Sequence, residues 1–240
     1  MSKQNETGHA KTVANFRVVL AACQGYGATY NPSRTELTVT ELISRADAGE
    51  TILDNVRSAF QVEKDAINAR ETPFKLLSKL GTRIINGLGA FNASQKVIDD
   101  ARFLVNKLTG RRAASGSAAT PTNPTNTISV SQMSYDMRVD SFEKLVKLVE
   151  AQASYAPNEV EMQVATLKTH AQTLKTLNNS AVTARIALDN ARIARDKALY
   201  SDVNSICNIA LDVKKYVKYL YGATAAEYKQ ISSLSFSKRI

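Results

Sequence analysis

The sequence repeats itself, and this repeat constrains the fold more than any other feature. Tyr30-Asn31-Pro32 matches Tyr155-Ala156-Pro157 at a shift of 125 residues. At the same shift, Ala66-x-x-Ala69-Arg70-Glu71 matches Ala191-x-x-Ala194-Arg195-Asp196. Because a long-period repeat marks a duplicated structural unit, we expect two related units in tandem.

The repeat also predicts where the units end. Gly89-Ala90 matches Gly222-Ala223 at a larger shift of 133 residues, which implies extra helical residues in the second unit. Residues 110 to 126 are rich in Ala, Ser, Thr and Pro, a composition typical of a linker. We therefore expect a first helical unit at 1–109, a linker at 110–136 and a second helical unit at 137–240, packed together as one bundle.

Apolar residues recur at alternating three- and four-residue steps, which predicts helices that pack through one face. In the first unit, the longest such seam includes one charged residue, Glu63, which interrupts the pattern. Its apolar members are Leu42, Ala46, Gly49, Leu53, Val56, Phe60 and Ile67.

Capping and breaking residues set the expected helix boundaries. Thr72-Pro73 should restart or kink the long helix near Arg70. Asp140 should cap the helix that follows it. The long helix of the second unit, from about 158 to 198, could continue straight towards Leu220. The sequence thus predicts an all-α protein, an elongated helical bundle built from two tandem-duplicated helical units.

The net charge invites a nucleic-acid partner, but its distribution weakens that interpretation. Lys and Arg number 31 against 22 Asp and Glu, which gives a formal net charge of +9. The excess is +5 over residues 1–120 and +4 over residues 121–240, so no basic arm stands out. A mixed, solvated helix surface explains this pattern, and a nucleic-acid-binding protein is the alternative.

The sequence lacks the residue clusters that catalysis and metal binding require. Its two histidines, His9 and His170, have no carboxylate or second histidine at ligand spacing. Its two cysteines, Cys23 and Cys207, lack a nearby base and are typical of small core residues. We therefore expect no enzyme activity, no catalytic residue, no metal and no cofactor.

Candidate interface residues come from the repeat. Arg70-Glu71 and Arg195-Asp196 end the two long helices at equivalent positions. They are either ordinary helix-end charges or ion pairs that fix the register between subunits or between the two units. Tyr30 and Tyr155, at equivalent positions in the repeat, are further interface candidates.

Two basic segments are candidates for a charged surface. Residues 73–89 are basic and amphipathic, and their face of Lys75, Lys79 and Arg83 would suit a membrane surface if the apolar face were free. In residues 214–221, Lys214, Lys215 and Lys218 alternate with tyrosines, as at a nucleic-acid surface. In both segments the apolar residues form a helical stripe, which also suits packing into a core.

The Tyr-x-Pro and Asn-Ala-Arg elements of the duplicated pattern resemble uncharacterised all-helical proteins of Bacteroidota type. The resemblance implies no assigned activity. The leading hypothesis is a structural or interaction protein that assembles with copies of itself into oligomers or filaments. A nucleic-acid-binding protein and a membrane-active amphipathic protein are the alternatives. Without a secretory signal or an apolar span, we expect a cytoplasmic protein, although leaderless export stays open.

Overall fold

The structure is a computed structural model that describes residues 8–110 and 133–236. Within these ranges it contains helices and turns but no strand, so the all-α class is confirmed. Most of the predicted linker lies outside the described residues. The helices are α1 (His9–Gly25), α2 (Val39–Ala90), α3 (Gln95–Thr109), α4 (Tyr135–Glu150), α5 (Val164–Asp196), α6 (Ile206–Tyr221) and α7 (Ala226–Ser232).

Two helix starts that the sequence predicts, one at Thr72-Pro73 and one directly after Asp140, are wrong. Thr72-Pro73 does not restart a helix, because α2 runs continuously from Val39 to Ala90 with Pro73 inside it. Phe74, directly after the proline, is buried, so packing outweighs the local preference of proline. Asp140 does not cap α4, which begins at Tyr135 after Ser134, whose Oγ accepts a hydrogen bond from the Met137 amide.

The second long helix is shorter than the sequence predicts. A 3-10 turn, Val160–Met162, precedes α5, which ends at Asp196. A π-helical turn, Lys197–Ser201, and a short loop follow, and Ser205 then caps α6 by accepting a hydrogen bond from the Asn208 amide at 3.3 Å. This cap separates α5 from α6, so the expected straight helix towards Leu220 is wrong. As expected, Gly222 follows the last residue of α6.

The chain folds into two compact units whose boundaries lie inside α2 and α5 rather than at the linker. The terminal unit combines residues up to Glu63 with residues from Arg185 onwards, and the middle unit comprises Lys64–Ala184. Each compact unit therefore contains parts of both sequence repeats. The units of packing thus differ from the sequence units 1–109 and 137–240.

Each compact unit has its own apolar core. In the terminal unit, α1, the start of α2, and α6 supply fully buried side chains: Phe16, Val19, Cys23, Leu42, Ala46, Ile209, Val213 and Val217. In the middle unit, the end of α2, α3, α4 and the start of α5 do the same: Phe74, Leu77, Ile84, Leu88, Leu108, Phe142, Leu145, Leu167 and Leu174. Burial of these faces is the main stabilising contribution to both units.

The same local structure occurs at both Tyr-x-Pro elements. The Tyr30 hydroxyl donates a hydrogen bond to the Leu37 carbonyl at 2.8 Å, and the Tyr155 hydroxyl donates one to the Met162 carbonyl at 3.2 Å. A 3-10 turn follows each tyrosine, and α2 and α5 begin at Val39 and Val164. These features recur at the shift of 125 residues that the sequence shows.

Candidate functional site

Arg70 is bound inside the middle unit. Its Nη1 donates a hydrogen bond to Asn178 Oδ1 at 2.9 Å, and its guanidinium carbon lies 3.7 Å from the centroid of the Tyr135 ring. Asn178 is buried and donates in turn to Asp136 Oδ1 at 2.6 Å. Arg70 thus joins α2 to α4 and α5 through hydrogen bonds and a cation–π contact.

The other three members of the predicted pairs make different contacts. Glu71 forms an exposed ion pair with Lys75, one turn further along α2, at 2.7 Å. In the terminal unit, Arg195 Nε donates to its neighbour Asp196 at 2.9 Å, and Asp196 lies 3.9 Å from His9 Nδ1. The two arginines are therefore equivalent in sequence but not in their contacts, and their role between subunits stays a prediction.

Tyr30 and Tyr155 are buried, with 6% and 7% of their surfaces exposed. Burial raises the pKa of both hydroxyls, so each stays protonated and can donate the hydrogen bond described above. Their rings also make edge-to-face contacts, Tyr30 with Tyr216 and Tyr155 with Phe91. Both side chains thus fix the turns before α2 and α5 from within their units.

The basic face of α2 accompanies an apolar face that the core of the middle unit already covers. Leu77, Ile84 and Leu88 are fully buried, so this segment does not offer a membrane the apolar surface that insertion requires. Arg83 pairs with Glu161 at 2.5 Å and holds the pKa of that carboxyl below its usual range. Lys79, on the same helix, is exposed.

The three lysines of α6 do not form one basic surface. Lys214 Nζ donates hydrogen bonds to the carbonyls of Ser232 and Leu234, at 2.8 and 2.9 Å, and burial lowers its pKa. Lys215 pairs with Asp212 at 3.0 Å, and Lys218 lies over the Tyr228 ring. Lys214 therefore fastens the end of α7 to α6.

Sequence reasoning missed the ion pair that explains Glu63. This residue is buried on α2, and its Oε1 accepts a hydrogen bond from Arg185 Nη1 at 3.0 Å. The signal was present, because a carboxylate on an apolar seam requires a basic partner when it is buried. The sequence did not indicate which of 31 basic residues supplies it.

The terminal unit leaves apolar side chains of α5 uncovered. Ile186 and Ile193 are 56% and 66% exposed, and they lie seven residues apart, on one face of the helix. Arg185, Asp189 and Arg192 accompany them and are linked through ion pairs at 3.2 Å, from Arg185 and from Arg192 to Asp189. We call Ile186, Ile193 and these three charged residues the α5 face.

The terminal unit also contains a cleft of about 320 Å³ beside the π-helical turn. Arg45, Gly49 and Ile52 of α2 line one part of it, and Asp202 and Asn204 line another. Sequence reasoning missed this cleft, because Asp202 and Asn204 lie in the break between α5 and α6, which the sequence did not predict.

The described ranges 8–110 and 133–236 contain no cluster of three or more His, Cys, Asp or Glu side chains that could hold a metal ion. In the same ranges, the helices are too short or too polar to cross a bilayer. Comparison of the chain with protein-family models, with curated proteins and with solved structures gives no match.

Proposed function

We propose that the protein is a non-enzymatic structural protein that assembles with copies of itself through helix faces. The observation that carries the proposal is the α5 face, on which two large aliphatic side chains remain more than half exposed. Exposed apolar side chains that share one helix face are typical of interaction surfaces. The partner that fits is a second copy of the chain, for the reason that follows.

The α5 face is complementary to itself. When two copies of α5 pair antiparallel around a two-fold axis, Ile186 of one copy meets Ile193 of the partner subunit, and the contact occurs twice. Alanines at 187, 191 and 194 flank the isoleucines and permit a close approach of the helices. Asp189 lies near the middle of the pairing, and its ion pairs with Arg185 and Arg192 of the same helix balance its charge there.

The exposed area is large enough to matter for affinity. An isoleucine that is about half exposed loses on the order of 100 Å² from water when covered, which contributes about 2.5 kcal/mol at 25 cal/mol per Å². Four such side chains meet in the symmetric pair. The gain offsets much of the translational and rotational cost of association, which is on the order of 4–15 kcal/mol.

The experiment compares two double variants by size-exclusion chromatography with light scattering. Ile186→Ser with Ile193→Ser should weaken self-association at least tenfold, since a loss of about 1.4 kcal/mol suffices for that. Val18→Ser with Val203→Ser is the matched control, because those valines are 49% and 77% exposed outside the α5 face. Equal masses for the wild type and both variants at all concentrations would reject this surface.

The tandem duplication and the cytoplasmic location are parts of the same proposal. The recurrence of the Tyr-x-Pro turn at a shift of 125 residues supports descent from one duplicated unit. Cys23 and Cys207 are buried and form no disulfide, which suits a reducing compartment. Recording the 260 nm absorbance in the chromatography above also tests the nucleic-acid alternative, because bound nucleic acid would elute with the protein at low salt and be lost at high salt.

A further inference from the structure

The two sequence repeats differ by an insertion, and the structure shows where it lies. The repeat shift is 125 residues up to Asp196 and 133 residues at Gly222, a difference of eight. The structure accommodates these extra residues in the π-helical turn Lys197–Ser201 and the loop at 202–204, directly before the Ser205 cap of α6. At the equivalent position of the first repeat, α2 continues as a helix. π-Helical insertions of this kind are frequent at functional sites.

The inserted residues form one wall of the cleft in the terminal unit. Asp202 and Asn204 come from the insertion, while Arg45 and Gly49 come from α2. A Cβ atom added at Gly49 would lie 2.6 Å from Ile206 Cδ1, so glycine allows α6 to approach α2 at this point. The volume of about 320 Å³ falls in the range of small-molecule sites, at its lower end.

Arg45 is held in place but is not fully satisfied. Its Nη1 donates a hydrogen bond to the Asn204 carbonyl at 2.8 Å, and its nearest carboxylate, Glu41, lies 4.0 Å away. Its Nε is buried without a hydrogen-bond partner. A buried donor without a hydrogen-bond partner destabilises a fold. Arg70 Nε shares this feature, but there the guanidinium stacks on an aromatic ring.

The rest of the lining supplies a negative charge and apolar surface. Within the described residues, Asp202 takes part in no ion pair, and its Oδ1 accepts a hydrogen bond from the backbone amide of Asn204. Ile52 and Ile206 add aliphatic surface to the same cleft. A guanidinium, a carboxylate and aliphatic side chains in one cleft match a ligand that carries both charges and an apolar body.

We propose that this cleft binds a small zwitterion, an α-amino acid with an aliphatic side chain. The ligand carboxylate accepts hydrogen bonds from Arg45, its ammonium group donates to Asp202, and its side chain packs on Ile52 and Ile206. The site belongs to one compact unit and does not depend on self-association, so it can be tested in the monomer or the assembly.

The middle unit offers a natural control. At the shift of 125 residues, the counterpart of Arg45 is His170, whose Nε2 is also buried without a partner. His170 packs edge-on against Phe142, with ring centroids 5.6 Å apart, and the inserted residues belong to the terminal unit rather than to the middle unit. His170→Gln should therefore leave ligand binding unchanged.

The test is isothermal titration calorimetry of the full chain with three probes. Leucine carries both charges, 4-methylpentanoate lacks the ammonium group, and 3-methylbutylamine lacks the carboxylate. We expect saturable binding of leucine, at least tenfold weaker binding of each analogue, and at least tenfold weaker binding of leucine to Arg45→Gln and Asp202→Asn. Circular dichroism verifies that each variant is folded.

Three results would overturn the proposal. The first is the absence of saturable binding for all three probes, which needs no variant. The second is equal affinity of the wild type and folded Arg45→Gln for leucine. The third is an equal loss of affinity in His170→Gln, which would locate the binding elsewhere. If Arg45→Gln does not fold, Arg45→Lys takes its place, because lysine keeps the charge but cannot reproduce the guanidinium geometry.

Discussion

The tyrosine hydroxyls before α2 and α5 provide the most direct test of the local structure. In Tyr30→Phe, the ring keeps its contacts, but the Leu37 carbonyl loses the hydrogen bond that it accepts at 2.8 Å. A neutral hydrogen bond contributes about 0.5–1.5 kcal/mol, and a buried acceptor left unpaired costs about 1–3 kcal/mol. We expect the free energy of unfolding to fall by about 1–2 kcal/mol.

Tyr155→Phe should have a smaller effect of the same sign. Its hydroxyl makes a longer hydrogen bond, 3.2 Å to the Met162 carbonyl, in a similarly buried turn. We expect a loss of about 0.5–1 kcal/mol, at the low end of the range for a neutral hydrogen bond. Urea denaturation followed by circular dichroism at 222 nm measures both variants, and a thermal scan should show a shift of about 2–4 °C per kcal/mol.

Tyr219→Phe is the matched control, because this tyrosine is 84% exposed. Removal of the Tyr219 hydroxyl should change the free energy of unfolding by less than about 0.5 kcal/mol. Equal effects of all three substitutions would refute the reasoning, since the loss would then not depend on the buried hydrogen bonds. An unchanged stability of both Tyr30→Phe and Tyr155→Phe would do the same.

Three further predictions concern stability. Burial lowers the pKa of His170, so the fold favours its neutral form, and the free energy of unfolding should fall as the pH drops below about 6.5. In denaturation curves recorded from pH 7.5 to 5, His170→Gln should reduce this dependence of the free energy of unfolding on pH. Pro73→Ala should raise the free energy of unfolding, measured by urea denaturation, by about 1–2 kcal/mol, because it restores an amide donor inside α2. A decrease would show that the proline is needed for the packing of the helix. Arg70→Met should lower the free energy of unfolding by about 1–3 kcal/mol, because it removes the donor to buried Asn178, and Arg195→Met should lower it by less. A larger loss for Arg195→Met would contradict the contacts assigned to the two arginines.

The sequence predicts the helices better than their ends. The apolar pattern predicts the buried face in part: Leu42, Ala46 and Leu77 are buried as expected. Phe60 and Ile67, which belong to the predicted seam of the first long helix, are 50% and 39% exposed, so this part of the prediction is wrong. Ends depend on competition between local preference and packing. Packing keeps Pro73 inside a helix, and the Ser205 cap interrupts a stretch whose apolar pattern permits a continuous helix.

The candidate sites were harder to predict, because they depend on contacts between residues far apart in the chain. Arg185 reaches Glu63 over 122 positions, and Arg45 reaches Asn204 over 159. The matching sequence segments indicated Arg70 and Arg195 as equivalent residues, yet their partners differ because the two segments have different neighbours in the fold. The shift from 125 to 133 residues predicted extra helical residues in the second unit, whereas the structure has a π-helical turn and a loop there, beside the cleft.

Oxidative cross-linking tests the central claim, antiparallel pairing of the α5 face, most directly. Ile186→Cys and Ile193→Cys are prepared separately, and Cys23 and Cys207, both buried, do not interfere. Antiparallel pairing predicts that an equal mixture of the two variants forms disulfide-linked heterodimers, whereas each variant alone forms few. In the two-fold pairing, Ile186 of one copy and the partner's Ile186 are offset by about seven residues along the helices, roughly 10 Å, and the same holds for Ile193. This distance is too large for a disulfide. Cross-linking of each variant with itself, or none in the mixture, would contradict the account.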